Sequence, residues 1–128
     1  MEKKLNVLVV DDEEMIASLV GAIIKPTGLC NVTIFSDSRE ALEHYKKNML
    51  SIDLVVLDMM MPHIGGYEFF KIIKGLNPVV PVVIMTGMCD TSELAEMQDI
   101  GVLSVFSKPF AVKDFETFFK NFAGSVCT

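Results

Sequence analysis

VVLDMMMPHIGG, Val55 to Gly66, drives an apolar, β-branched run onto an acid, Asp58, and follows it with three methionines, a proline and a Gly-Gly pair. The run begins earlier, so that IDLVVLD (Ile52–Asp58) reads as a buried strand ending on a carboxylate. Pro62 and the glycines turn the chain away from that end and leave the carboxylate accessible. An acid in this place commonly marks the start of a loop. The other reading is a reactive group held at a strand end, and the flanking sequence has to choose between them.

On the N-terminal side, LNVLVV (Leu5–Val10) is a second short apolar run and reads as a buried strand. The acids of DDEE suit a helix N-terminus, and Met15, Ile16, Leu19, Val20, Ile23 and Ile24 recur at helical spacing until Pro26 and Gly28 stop the helix. NVTIF (Asn31–Phe35) is the next strand. Ser36-Asp37-Ser38 can cap a helix carrying Ala41, Leu42 and Tyr45. On the C-terminal side, Tyr67, Phe70, Ile72 and Ile73 predict a helix ending near Gly75 to Pro78. VPVVIMT (Val80–Thr86) is a strand that tolerates Pro81 only at its start. A polar helix follows over about Ser92 to Asp99, then the strand VLSVFS (Val102–Ser107), then a helix marked by Val112, Phe115, Phe118, Phe119 and Phe122 that ends near Gly124. Strand and helix alternate five times. The expected fold is α/β, a (βα)5 doubly wound parallel five-stranded sheet of order 2-1-3-4-5, flavodoxin-like, with a Rossmann-like half as the lesser alternative.

Composition narrows the function. At 128 residues the chain suits one domain with a proper core. A net charge of −6, with Lys3, Lys4, Lys46, Lys47, Lys71 and Lys74 scattered, argues against direct nucleic-acid binding. Cys30, Cys89 and Cys127 are far apart and form no zinc pattern, and free thiols fit a reducing, cytoplasmic setting. MEKKLNVLVVDDEE is not expected to act as a secretory leader, because acids stand where an apolar core would continue. No apolar run approaches the roughly 20 residues needed to cross a bilayer, so no membrane is expected.

In open sheets of this kind, ligands bind beyond the carboxyl ends of the strands, at the switch in strand order. The predicted strands end in Asp11-Asp12, Asp58, Thr86-Gly87 and Ser107-Lys108-Pro109, so these groups share one rim. Three carboxylates brought close together repel by roughly 4 kcal/mol per pair at intermediate dielectric. Either a cation offsets that, or one acid protonates. Mg²⁺ suits the set, because it takes oxygen ligands and is typically held by one or two carboxylates plus a phosphate. Lys108 supplies a second positive charge and Thr86 a hydroxyl, which together describe a phosphoryl-transfer site. GxxxxGK[ST], a strand-borne GxGxxG and GxSxG are all absent. His44 reads as an exposed helix residue and His63 as a loop residue near the site.

At these residues the chain resembles the receiver domain of two-component response regulators over essentially its whole length, as a single domain of residues 1–128. VVDDEE is similar to the family's acidic pair, LDMMMPHIGGYEF to its phospho-acceptor segment, MTG to its hydroxyl motif and FSKPF to its lysine-proline motif. The resemblance implies that Asp58 accepts phosphate from a histidine kinase or histidine phosphotransfer protein. It implies Mg²⁺ ligation by Asp12 directly, by Asp11 mainly through water, by Asp58, and by the backbone carbonyl of Met60. Thr86 and Lys108 would bind phosphoryl oxygens, Phe106 would be the switch aromatic that turns inward with Thr86, and the Lys108–Pro109 bond would be cis. Ile64 and Gly65 depart from the commoner pattern without touching the chemistry.

Met60 and Met88 occupy the two variable positions that flank the attacking water in this family. Both are apolar, and slow loss of phosphate is the expectation. Phe110, Phe115, Phe118, Phe119 and Phe122 make one mostly inward stripe. Phe118 and Phe119 are adjacent and cannot both face inward, so one is expected on an outer face open to a homodimer or a downstream protein. Two rival functions remain: a Mg²⁺-dependent phosphohydrolase with an aspartyl nucleophile, whose DxD pattern this chain lacks, and a pseudo-receiver interaction module that is never phosphorylated.

Overall fold

The apolar runs become strands because helices cover both faces of the sheet they form. The computed structural model describes residues 5–28, 30–87, 91–108 and 111–127. Its strands are β1 (Leu5–Val10), β2 (Cys30–Phe35), β3 (Leu54–Asp58), β4 (Val82–Thr86) and β5 (Ser104–Ser107), all parallel, in the order β2-β1-β3-β4-β5. They alternate with α1 (Glu14–Ile24), α2 (Ser38–Asn48), α3 (Gly66–Leu76), α4 (Thr91–Ile100) and α5 (Val112–Cys127). The predicted α/β class and strand order are therefore those observed.

Successive strand residues point to opposite faces, and the two faces fill with different helices. On one side Leu8, Val10, Val55, Leu57 and Ile84 pack with Ala41, Leu42 and Tyr45 of α2, Phe69, Phe70 and Ile73 of α3, and Met97 of α4. On the other, Val7, Val9, Val56, Val83 and Met85 pack with Ala17, Val20, Ile23 and Ile24 of α1 and Phe115, Phe119 and Ala123 of α5. Every residue of β3 and β4 is buried, which is why they lack apolar–polar alternation. Each large side chain so buried stabilises the fold by about 1.5–3 kcal/mol.

Several predicted boundaries shift. β3, β4 and β5 each begin two residues later than their apolar runs. Ile52 closes a short turn by donating to the Met49 carbonyl, and Val80 does the same to Asn77, so these residues spend their amides outside the ladder. Pro81 stands just before β4, where its carbonyl still accepts from Val55. α5 runs through Gly124, so that glycine does not end the helix. α1 also turns differently from its apolar stripe. Met15 is 86% exposed and Leu19 is exposed, while the small Ala17 and Gly21 are buried. Phe119 is fully buried, and Phe118 is half-buried against the rings of Phe106 and Phe122. Pro109, Phe110, Met88 and Cys89 lie outside the described residues, as does the side chain of Cys127.

Candidate functional site

The register brings the rim together. Val10 of β1 stands level with Leu57 of β3, so the next residues, Asp11 just past β1 and Asp58 at the end of β3, stand side by side. Asp58 is level with Met85, which places Thr86 one step beyond it on β4. Asp11 prolongs the β1 ladder by donating its amide to the Phe35 carbonyl. Asp11 and Asp58 are 2% and 3% exposed, whereas Asp12 is open to solvent. One carboxylate oxygen from each of the three lies within 4.8 Å of the others.

Lys108 crosses the rim to this cluster. Its backbone amide donates to the Thr86 carbonyl at 2.7 Å, which fixes the start of the β5–α5 connection against β4. Its Nζ then lies 3.0 Å from Asp11 Oδ2, 3.2 Å from Asp58 Oδ1 and 3.2 Å from Glu13 Oε1. Glu13 is the group that sequence reasoning missed as part of the site. DDEE carried the signal, but its third acid was absorbed into the helix start.

One ammonium group thus contacts three acids, Asp11, Glu13 and Asp58, with Asp12 beside them in the carboxylate cluster. Burial raises the Asp58 pKa first and the charge of Asp11 raises it further; Lys108 pulls the other way, and the result is about 7. Burial opposes the charge on Lys108 as well, but the hydrogen bond and charge of Asp11, helped by Asp58 and Glu13, outweigh it and raise the lysine pKa. This all-oxygen donor set with surplus negative charge fits a hard divalent cation.

The β3–α3 loop is anchored beneath the cluster. Met59 donates to the Met85 carbonyl, and its own carbonyl accepts from Gly66 at 2.9 Å. A Cβ at position 66 would stand 2.3 Å from the Asp58 carbonyl oxygen, so only glycine fits there. The Met60 amide reaches towards Asp58 Oδ1 at 3.4 Å, and the residue is 66% exposed. Thr86 is buried at the rim. Phe106 of β5 is half-buried against α5, with ring centroids 5.3 Å from Phe115 and 5.4 Å from Phe118. His44 packs on Phe35 away from the site, and His63 is exposed in the β3–α3 loop.

The family model of the response regulator receiver domain matches residues 7–120. The chain belongs to the receiver domain family. Among receiver-bearing relatives, response regulator RR06 of Streptococcus pneumoniae serotype 2 is 33% identical over 108 residues, which cover 84% of this chain and 48% of that protein. The transcriptional regulatory protein ZraR of Escherichia coli K12 is 33% identical over 105 residues, 82% of this chain and 23% of that one. The chain therefore spans about half or less of these curated relatives. A receiver domain protein from Clostridium thermocellum superposes with a TM-score of 0.84 at 29% identity, covering 94% of this chain and 95% of that one. The BeF3-activated receiver domain of DrrB, a Thermotoga maritima OmpR/PhoB homologue, superposes with a TM-score of 0.80 at 26% identity, over 94% and 97% of the two chains.

Proposed function

We propose that this receiver accepts a phosphoryl group on Asp58 and switches conformation as a result. The carrying observation is the buried Asp58 carboxylate, 3.2 Å from Lys108 Nζ and clustered with Asp11 and Asp12. A carboxylate oxygen of Asp58 attacks phosphorus, the bond from phosphorus to the donor imidazole nitrogen breaks, and an acyl phosphate forms. The donor is a phosphohistidine on a sensor histidine kinase or a histidine phosphotransfer protein. Mg²⁺, held by Asp11, Asp12, Asp58 and the Met60 carbonyl, would neutralise charge on the nucleophile and the entering phosphoryl group. Lys108 and the Thr86 hydroxyl would take phosphoryl oxygens. Lys108 would then exchange its carboxylate contacts for the phosphate, and Thr86, drawn to it, would make room for Phe106 to turn inward.

The proposed unit is a single receiver over residues 1–128 that works in the cytoplasm and contacts no nucleic acid itself. A homodimer or a downstream protein would read the switch through α5. No helix of the described residues is long and apolar enough to cross a membrane.

Acetyl phosphate with Mg²⁺, followed by intact-mass measurement, tests the function. The expected product carries one phosphate, abolished by Asp58→Ala. Repeated turnover of a phosphate ester would instead support the phosphohydrolase. No phosphorylation under any donor would support the pseudo-receiver.

A further inference from the structure

The loop that carries the proposed acceptor and metal ligand is fastened at its base by Gly66 on Met59. Its far end is a conformation its own residues disfavour. His63 adopts φ of 70°, the one non-glycine positive φ among the described residues, and the Ile64 amide donates back to the Pro62 carbonyl at 2.9 Å. That is a γ-turn about a side chain with a Cβ, and such backbone states persist only where the surroundings over-determine them.

Met61 and Ile64 pack against the core on either side of the turn, and the polar brace comes from a hydroxyl on another element. Ser38, in the first turn of α2, is 1% exposed. Its Oγ donates to the Pro62 carbonyl at 2.9 Å and accepts from the Ile64 amide at 3.2 Å, so it joins the two backbone groups that flank His63. Its own helix does not use this hydroxyl, because Asp37 is the N-cap and accepts from the Arg39 amide at 2.9 Å. Both of the bonds made by Ser38 leave α2 and end on the acceptor loop. Between the two fastenings lie Met60, whose amide approaches Asp58 Oδ1, and Met61.

We infer that Ser38 is a positioning residue for the phosphoacceptor site. Its hydroxyl holds the turn at His63, and so fixes the path of residues 59–65 on which the Met60 carbonyl and the Asp58 carboxylate depend. The inference rests on the phosphoacceptor reading of Asp58. It separates from that reading because the turn can be observed without metal or phosphate.

The test uses the full chain with Ser38→Ala and Ser38→Cys, the second keeping the shape while weakening both hydrogen bonds. Three quantities are read: hydrogen exchange of the Ile64 amide without metal, the apparent Mg²⁺ dissociation constant by NMR titration, and the initial rate with acetyl phosphate. In Ser38→Ala the Ile64 amide is expected to exchange at least about 10-fold faster while β3 amides keep their protection, and Mg²⁺ affinity and phosphorylation rate are each expected to fall about 10-fold, the scale at which residues supporting a metal ligand act. Ser38→Cys should lie between. Wild-type exchange at Ile64, or unchanged Mg²⁺ affinity and rate in a wild-type background that does phosphorylate, overturns the inference. Should Ser38→Ala fail to fold, Ser38→Cys decides by the same readings. A wild-type protein that takes no phosphate sinks the acceptor reading instead, and Ile64 exchange still decides whether Ser38 holds the turn.

Discussion

Neutralising Asp58 should stabilise the metal-free protein, by an amount that grows with pH. Its carboxyl is raised from 3.8 to about 7, by burial and then by Asp11. A carboxyl raised in the folded state contributes its full stability below the unfolded value and loses it as pH climbs through the folded one. At pH 5 the unfolded chain is already ionised at this residue while the folded one still holds the proton, a difference of about 2 kcal/mol. Near pH 7.5 the difference levels off at about 4 kcal/mol. Asp58→Asn removes the titration and keeps an oxygen for Lys108, so the variant should be more stable than wild type by about those amounts. Urea unfolding in chelator at pH 5, 6 and 7.5 reads it directly. The approximately 2 kcal/mol rise between the end points is the sensitive quantity, because titrating groups distant from Asp58 cancel between the two proteins. A stability gain that is flat across this range, or a wild type more stable than Asp58→Asn at pH 7.5, would refute the electrostatic account of the site.

Gly66→Ala should lower stability by about 1–3 kcal/mol or more, since the new methyl meets the Asp58 carbonyl and Met59 Cα, both backbone, and cannot be relieved by a rotamer change; a urea midpoint equal to wild type would contradict that packing. The paired variant Met60→Asn, Met88→Glu should lose phosphate faster than wild type, because polar side chains can orient an attacking water where methionines do not. A phosphate-loss time course no faster than wild type would show that these methionines merely fill space.

The site was legible where local pattern and strand order suffice. Asp11, Asp12, Asp58, Thr86 and Lys108 each follow an apolar run, and a parallel sheet of order 2-1-3-4-5 must bring such positions to one rim. Boundaries were less legible, because an apolar residue before a strand looks the same whether its amide enters the ladder or closes a turn, as at Ile52 and Val80. The stripe through Met15 and Leu19 misled for a related reason. Helical spacing gives a period, but the sheet and α5 decide which arc of α1 is buried. Asp37 and Ser38 looked alike as caps, and only the position of Pro62 and Ile64 in space separates the residue that caps α2 from the one that braces a distant loop.

The amino-acid sequence by itself determined the layered α/β fold, the chemical types at each strand end, and the family to which they belong. The tertiary structure decided how those groups act on one another. Lys108 meets Asp11 across 97 residues of chain and Ser38 meets Ile64 across 26. Burial and charge proximity, which set the state of Asp58, depend on through-space distances that no local pattern encodes.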